Sequence, residues 1–423
     1  MTDRRIFNRQ ILKGSVLSLL PSSWYASVLS GQHERNPDAP YTLRLEVAAR
    51  LFDGEKCWVH PRAGRVPSVS KDSPRKVVMT MSTLDLSGSD VFRGMYQLTT
   101  EDFGNKWSKA EELDALAPRY ETIEEVRRPV AAADFWPKYH TATKKLLGTG
   151  HTIVYTSDWK VESPRPRHTC YAVYDAETGK WSEWEKLRMP GGDYFYSAGA
   201  GCVQRYDEED GSILLPIYFS PPGQNARVIV SRCSFDGRQL NYLRHGNELS
   251  IANDTRGLHE PSVTRWNGRY FLTIRNDKMG YVSTSEDGLH FEPIRPWTFD
   301  DGTPLGNYNT QQHWVNHSDA LYLVYTRRGA NNEHVFRHRA PLFMSQVDTE
   351  KLCVIRHTEQ IIVPERGARL GNFGVTEISP EESWVTVSEW MQPEGVEQYG
   401  SDGSVYIARI FWKNPNLNAD SLD

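Results

Sequence analysis

Apolar and polar residues alternate in short runs along most of this chain. The clearest case is residues 259–291, HEPSVTRWNGRYFLTIRNDKMGYVSTSEDGLHF. A period of two marks strands at 259–266, 269–275 and 281–285. Asn267-Gly268 between the first two is a hairpin signal, because both residue types accept the positive φ such turns require. Ser285-Glu286-Asp287-Gly288 supplies a polar turn after the third. Charges interrupt the pattern where a half-buried sheet would hold apolar residues. Glu260 opens the first strand and Arg275 closes the second.

The same unit recurs: an inner strand, an aliphatic strand, a third strand ending in a polar turn, then an outer strand. It is predicted at 58–68, 76–83 and 94–100, then at 136–142, 145–155 and 170–175. It returns at 197–205, 212–219 and 228–233, in the stretch already described, at 308–316, 320–326 and 340–347, and at 372–378, 383–390 and 403–411. A spacing of roughly 50 to 75 residues fits propeller blades with loops. The expectation is an all-β chain, a six-bladed β-propeller of four-stranded antiparallel blades. Residues 43–52 are a strand without a partner, and the last unit lacks an outer strand. Pairing the two closes the ring and protects both edges. A seven-bladed ring is the alternative. The propeller then occupies 41–415 as one domain, with a tail at 416–423.

Composition adds a function class. Thirteen Trp, twenty Tyr, thirty-one Gly and twenty-four Pro fit a turn-rich β protein, and aromatic faces also suit sugar rings. A net charge of −5 gives no electrostatic case for nucleic acid. The five cysteines form no CxxC spacing, so buried free thiols are expected and no metal site. No phosphate-binding Gly loop, Ser-His-Asp order or dinucleotide motif stands out, and no cofactor is expected. Arg4-Arg5 precedes a weakly apolar run at 11–29, interrupted by Lys13, Gly14 and Pro21. That pattern resembles a bacterial twin-arginine export signal and is too broken for a stable membrane span. Residues 1–40 are therefore read as export signal and linker, and the location as periplasmic or secreted.

Thr100-x-Asp102-x-Gly104-x-x-Trp107 resembles the Asp-box (BNR repeat) of sialidases and their relatives. Ser285-x-Asp287-Gly288-x-x-Phe291 and Ser234-x-Asp236-Gly237 are shortened versions. The Asp ties up turn amides, the Gly takes positive φ, and the aromatic packs between strands. Arg65-Val66-Pro67-Ser68 resembles the family's Arg-Ile-Pro motif, and Glu260 with Arg275 resembles its Glu and second Arg. The resemblance implies a divergent sialidase-like propeller and a glycoside hydrolase acting on a terminal acidic sugar. It implies Arg65 and Arg275 as carboxylate clamps. The chain departs from the family where its acid, third arginine and nucleophile belong. Asp85 and Asp90 lie early, Gln311, Gln312 and His313 stand for the arginine, and Phe373 stands near the nucleophilic Tyr.

Propeller ligands sit at one end of the channel, and blade comparison selects candidates for its lining. The ends of the second strands offer His151, Tyr218, Arg275, Arg327 and Trp390. The inner strands offer Arg62 or Arg65, His140, Glu260, and Gln312 or His313. Arg62 and Arg65 are expected to share one strand face, with at least one reaching the channel. His140 and His151, on adjoining strands, are expected to face one pocket. The expected catalytic set is Glu260, His140, His151, Asp90 and Tyr218. The expected substrate-binding set is Arg62, Arg65, Arg275, Gln312, His313, Arg327 and Trp390. The partner is an acidic glycan. Two alternatives stay open: a polysaccharide lyase cutting beside a uronic acid, whose site composition resembles this one, and a propeller that binds glycans without turning them over. His334, Arg337, His338 and Arg339 form a basic cluster that could reach an acidic ligand.

Overall fold

A computed structural model describes residues 39–66, 76–88, 90–252 and 255–419. Residues 1–38 of the segment read as export signal and linker lie outside them, as do Pro67 and Ser68 of the Arg65 motif. Six antiparallel sheets follow one another as the six blades of a β-propeller. Blade 1 comprises Lys56–Val66, Lys76–Asp85, Phe92–Thr100 and Glu111–Glu112; blade 4 comprises His259–Trp266, Arg269–Arg275, Tyr281–Ser285 and Arg295–Pro296. Blades 2, 3 and 5 repeat the order, and blade 5 splits its outer strand into Cys353–Val354 and Gln360–Val363.

Blade 6 closes the ring. Gly374–Ser379, Glu382–Ser388 and Ser404–Trp412 are joined on the outside by the N-terminal strand Tyr41–Arg50. Tyr41 pairs with Trp412 and Arg50 with Ser404. Six blades replace the seven-bladed alternative. Boundaries of three inner strands moved: that of blade 3 stops at Gly199 rather than 205, that of blade 5 begins at His313 rather than 308, and that of blade 2 runs Val126–His140, ten residues earlier than its pattern predicts. Its first part carries Arg127 and Arg128 and pairs with Arg119–Ile123 in an outlying, partly exposed hairpin, so alternation there is polar on both faces.

The core lies between neighbouring blades. Leu214, Val263 and Leu272 are buried together between blades 3 and 4, and Val315, Val324, Phe373 and Val385 between blades 5 and 6. Turns after the third strands take the expected form. Asp102 Oδ1 accepts the Lys106 N–H at 2.9 Å, Thr100 Oγ1 accepts the Gly104 N–H at 2.9 Å, and Gly104 has φ +81°. Trp107 packs on Trp384 of blade 6, centroids 6.0 Å apart. Asp287 and Asp236 accept turn amides in the same way at 2.7–2.8 Å. All five cysteines are buried free thiols. No helix among the described residues is long and apolar enough to cross a membrane.

Candidate functional site

In or beside each blade's inner strand, at one end of the channel, a non-glycine residue occupies the left-handed region. These are His60 (φ 59°), Asp134 (52°), Cys202 (57°), Glu260 (44°), Asn309 (56°) and Asn372 (66°). In blades 1, 2 and 4 the residue sits at a bulge, where register shifts between Val59 and Arg62, Ala133 and Trp136, and His259 and Ser262. Each such backbone costs about 1–3 kcal/mol and persists only where its surroundings hold it. A bulge re-aims a side chain that alternation would send elsewhere.

The surroundings are the six residues themselves. Asn372 Nδ2 donates to His60 Nε2 at 2.6 Å, and His60 Nδ1 lies 3.1 Å from Asp134. The Cys202 thiol donates to Asp134 at 2.7 Å, and Arg62 approaches both, at 3.2 Å from the sulfur and 3.6 Å from the carboxylate. Across the channel Arg275 joins Glu260 in a close ion pair and donates to Asn309 Oδ1 at 2.7 Å. Blades 6, 1, 2 and 3 are thus linked by one polar chain, and blades 4 and 5 by another. Asp134 is buried, which alone would raise its pKa. His60, His151 and Arg62 more than reverse this and hold it below the usual carboxylate range.

Tyr218 donates its hydroxyl to His151 Nδ1 at 2.9 Å, and His151 Nε2 lies 3.5 Å from Asp134. The carboxylate on that side assigns the proton to Nε2 and leaves Nδ1 as acceptor. Burial, with Arg167 second, depresses His151 to about 3, so it is neutral at neutral pH. Burial raises the Tyr218 hydroxyl, against the pull of Arg167, whose guanidinium lies 4.7 Å from the ring centroid. Two glycines of blade 3 admit this pair. A Cβ on Gly201 would stand 2.2 Å from His151 Nδ1, and one on Gly199 would stand 2.5 Å from Arg167 Cδ.

Around this floor the mouth carries Arg62, Arg165, Arg167, Arg256, Arg275, Arg337, Arg339 and Arg369 against the carboxylates Asp90, Asp134, Glu260 and Asp277. Arg165 binds Asp90 at 3.0 Å and Arg256 binds Asp277 at 2.5 Å. Among the described residues no ion pair joins a carboxylate to Arg167, Arg337, Arg339 or Arg369. Burial, then Arg275 and Arg369, push Arg339 well below the ordinary arginine value; burial and Arg337 bring Arg369 to about 10. Burial would raise Asp90, but Arg165 outweighs it and the carboxyl sits below its usual value.

The sequence-derived candidates divide. Arg62, Asp90, His151, Tyr218, Glu260, Arg275 and Trp390 meet at this mouth. Gln312 and His313 are fully buried beneath it: Gln312 accepts from Thr273 at 3.0 Å, and His313 Nδ1 meets Ser262 Oγ at 2.8 Å. Three candidates lie elsewhere. Arg327 is turned away onto Glu359, with contacts of 2.8 and 2.6 Å, and stacks on Phe343. Arg65 donates to the Ile378 carbonyl at 2.9 Å and lines a cavity at the opposite end of the channel. Arg62 and Arg65 are three positions apart, an odd spacing that alternation sends to opposite faces.

His140 lines the same opposite cavity, so it does not share a pocket with His151. It pairs with Lys145 at the hairpin turn, whereas His151 pairs with Ala133, which separates them by roughly 20 Å at about 3.3 Å per residue. Both His140 nitrogens are used, by Thr143 at 2.8 Å and the Gly211 carbonyl at 3.0 Å. The opposite cavity is large, about 750 Å3, but its charges are already paired. Arg205 binds Asp207 at 2.9 Å and two carbonyls at 2.7 and 2.9 Å.

Pattern reading missed His60, Asp134, Cys202, Asn309 and Asn372, together with the arginines contributed by loops. Aligning the inner strands would have placed the five with Glu260. Their shared left-handed backbone has no general sequence signature; Asn, Asp and His favour it, but Cys202 and Glu260 adopt it without that preference.

The fold defines the class: a six-bladed β-propeller. Solved structures agree. NanB sialidase from Streptococcus pneumoniae superposes with TM-score 0.58 at 10% identity, over 88% of this chain and 71% of that one. A Dyadobacter fermentans protein of unknown function gives 0.57 at 11%, over 88% and 99%. Trypanosoma rangeli sialidase gives 0.53 at 13%, over 84% of this chain and 55% of its own length, so the chain spans about half of that enzyme. At such identities the likeness is one of fold. No protein family and no curated protein matches the sequence.

Proposed function

We propose that the chain is an exported glycoside hydrolase that removes a terminal acidic sugar from a glycan. The observation that carries this is a Tyr218–His151–Asp134 chain set among arginines that lack carboxylate partners. A guanidinium fork is the usual protein partner of a carboxylate. Arg167 and Arg339 hold the sugar's carboxylate above Tyr218, beside Arg275 and its partner Glu260. Tyr218 then replaces the nucleophile that Phe373 cannot be. Its oxygen bonds to the anomeric carbon as its proton passes to His151 Nδ1, and the bond to the leaving oxygen breaks. The substrate carboxylate draws Arg165 from Asp90, whose carboxylate then takes a proton from solvent and passes it to that oxygen. Water then attacks the anomeric carbon, giving a proton to Asp90, the bond to Tyr218 breaks, and Tyr218 takes its proton back from His151. Arg4-Arg5 ahead of a weakly apolar run, and cysteines that need no pairing, support export of a folded chain.

The Tyr218–His151 hydrogen bond also favours a second reading, elimination beside a uronate, in which Tyr218 carries a proton and the arginines neutralise the carboxylate. One assay separates the readings. A panel of acidic glycans is incubated with the protein, and both unsaturated-uronate absorbance and new reducing ends are followed. Reducing ends without absorbance select hydrolysis, absorbance selects elimination, and binding with neither leaves a glycan-binding propeller. Tyr218→Phe should lower turnover roughly 100-fold or more while leaving substrate affinity within a few-fold. Full activity in that variant removes Tyr218 from the chemistry.

A further inference from the structure

The mouth holds more positive charge than one sugar carboxylate requires. Eight guanidiniums face four carboxylates, and His60, His151 and His259 are all depressed by burial and stay neutral. One bound carboxylate leaves most of that excess unanswered. The surplus is not spread evenly. Arg369 is buried and lies 4.4 Å from the Trp390 ring, and among the described residues its guanidinium makes one hydrogen bond, 3.2 Å to Gln392 Oε1. Its buried Nε has no partner. Arg337, on the basic loop at 334–339, is exposed and has no carboxylate beside it among the described residues. Both guanidiniums lie 5.0 Å from the ring of Phe336, which is 43% exposed. Two unanswered cations flanking an exposed aromatic face make a subsite for an anionic group on a sugar ring.

We propose that the ligand carries two separate anionic groups: the carboxylate at Tyr218, and a second group, a sulfate ester or a neighbouring uronate carboxylate, held by Arg337 and Arg369 over Phe336. This rests on the acidic-sugar reading of the site and narrows it to a doubly charged glycan. The second group sits on a residue next to the one that reacts, because Arg337 and Phe336 are exposed whereas Tyr218 is buried. Like charges held close together repel, and burial sharpens the repulsion. A cluster of this kind is stable only at a cost that a polyanionic ligand offsets.

The test measures binding of three probes to the full chain by calorimetry: a uronic acid monosaccharide, an unsulfated diuronate, and a disaccharide with one uronate and one sulfate ester. At least one doubly charged probe should bind roughly tenfold or more tighter than the monosaccharide. The tighter of the two identifies sulfate or carboxylate as the second group. Arg337→Gln, at an exposed position, should erase most of that gain and leave monosaccharide affinity unchanged. Arg369→Gln should do the same, with its melting temperature measured beside it. Equal affinity for singly and doubly charged probes overturns the proposal and leaves the acidic-sugar reading intact, as does an Arg337→Gln variant that weakens all probes alike. No binding of any probe overturns both. Tight binding of a doubly charged probe without turnover supports the second subsite and rejects the hydrolase.

Discussion

At the scale of the residue, His151 and His140 show how location decides what one side chain type does. His151 is buried and depressed to about 3, His60 to about 4, both chiefly by burial. The groups facing His151 are Tyr218, Asp134, Arg167, Arg165 and Asp90, and of these only the carboxylates favour its charged form. Unfolded, both histidines titrate near about 6.5. Between that value and about 4 the unfolded chain takes up protons that the folded chain refuses, so stability is complete above the window and falls as pH drops through it. Asp134 adds a second loss lower down, below the ordinary carboxylate range, because its folded pKa is depressed. Denaturant midpoints should therefore decline from pH 6.5 to 4, and His151→Asn should make that decline shallower. A midpoint independent of pH in wild type would show that the histidines are not held neutral. His140→Ala should cost about 1–2 kcal/mol, since it orphans the Gly211 carbonyl and the Thr143 hydroxyl. Its turnover and ligand affinity should stay within twofold of wild type, whereas His151→Ala should abolish turnover.

At the scale of the element, the bulged inner strands turn a structural repeat into a site. Asn372 tests this, because its backbone at φ 66° and its hydrogen bond to His60 can be separated. Asn372→Gly keeps the conformation without strain and loses only the side-chain bonds, to His60 and from the Gln311 amide at 3.0 Å. Asn372→Ala loses the same bonds and adds the left-handed penalty, about 1 kcal/mol or more. Chemical denaturation should rank wild type above Asn372→Gly and Asn372→Ala last; equal values for the two variants would mean that the backbone there is not constrained. The same elements explain what the sequence disclosed. Alternation, hairpin signals and polar turns are local, so blade number and the strands around Glu260 and Arg275 were legible. Side-chain direction is not local. A single bulge between Val59 and Arg62 brings Arg62 to Asp134, and the odd spacing between the two arginines sends Arg65 to the other face. Arg327 has the right position for the mouth, but Glu359, an acidic partner thirty-two residues away, claims it. Asp134 and Cys202 lie in runs such as AAADFW and SAGAGCV, which read as ordinary core because their left-handed backbone leaves no pattern.

At the scale of the whole molecule, the site exists only while the ring is closed, since its polar chain crosses from blade to blade. The junction of blades 6 and 1 carries Asn372 to His60 at 2.6 Å, Thr386 to the Pro61 carbonyl at 2.6 Å and Thr376 to the Ala63 carbonyl at 2.6 Å. Blade 6 is completed by a strand from the other end of the chain. Tyr41 packs edge-on against Trp412 and Tyr322 at 5.5 and 5.9 Å, and Leu43, Leu45 and Val47 pack on the same cluster. Arg409 reaches across to Glu46 at 3.3 Å while held by Glu382. Partial burial of four apolar side chains, each worth up to about 1.5–3 kcal/mol, approaches the about 5–15 kcal/mol of a typical domain. Removal would also leave Ser404–Trp412 as an open edge, a template for pairing with other chains. Two truncations separate these effects from any role of the preceding residues. A chain beginning at Asp38 retains the strand and should melt cooperatively and bind ligand as the full chain does. A chain beginning at Leu51 should lose its cooperative transition, self-associate in sedimentation, and lose ligand binding, although every residue named at the mouth is still present. A shortened chain that kept its melting temperature and its affinity would show that the six blades hold their site without the closing strand.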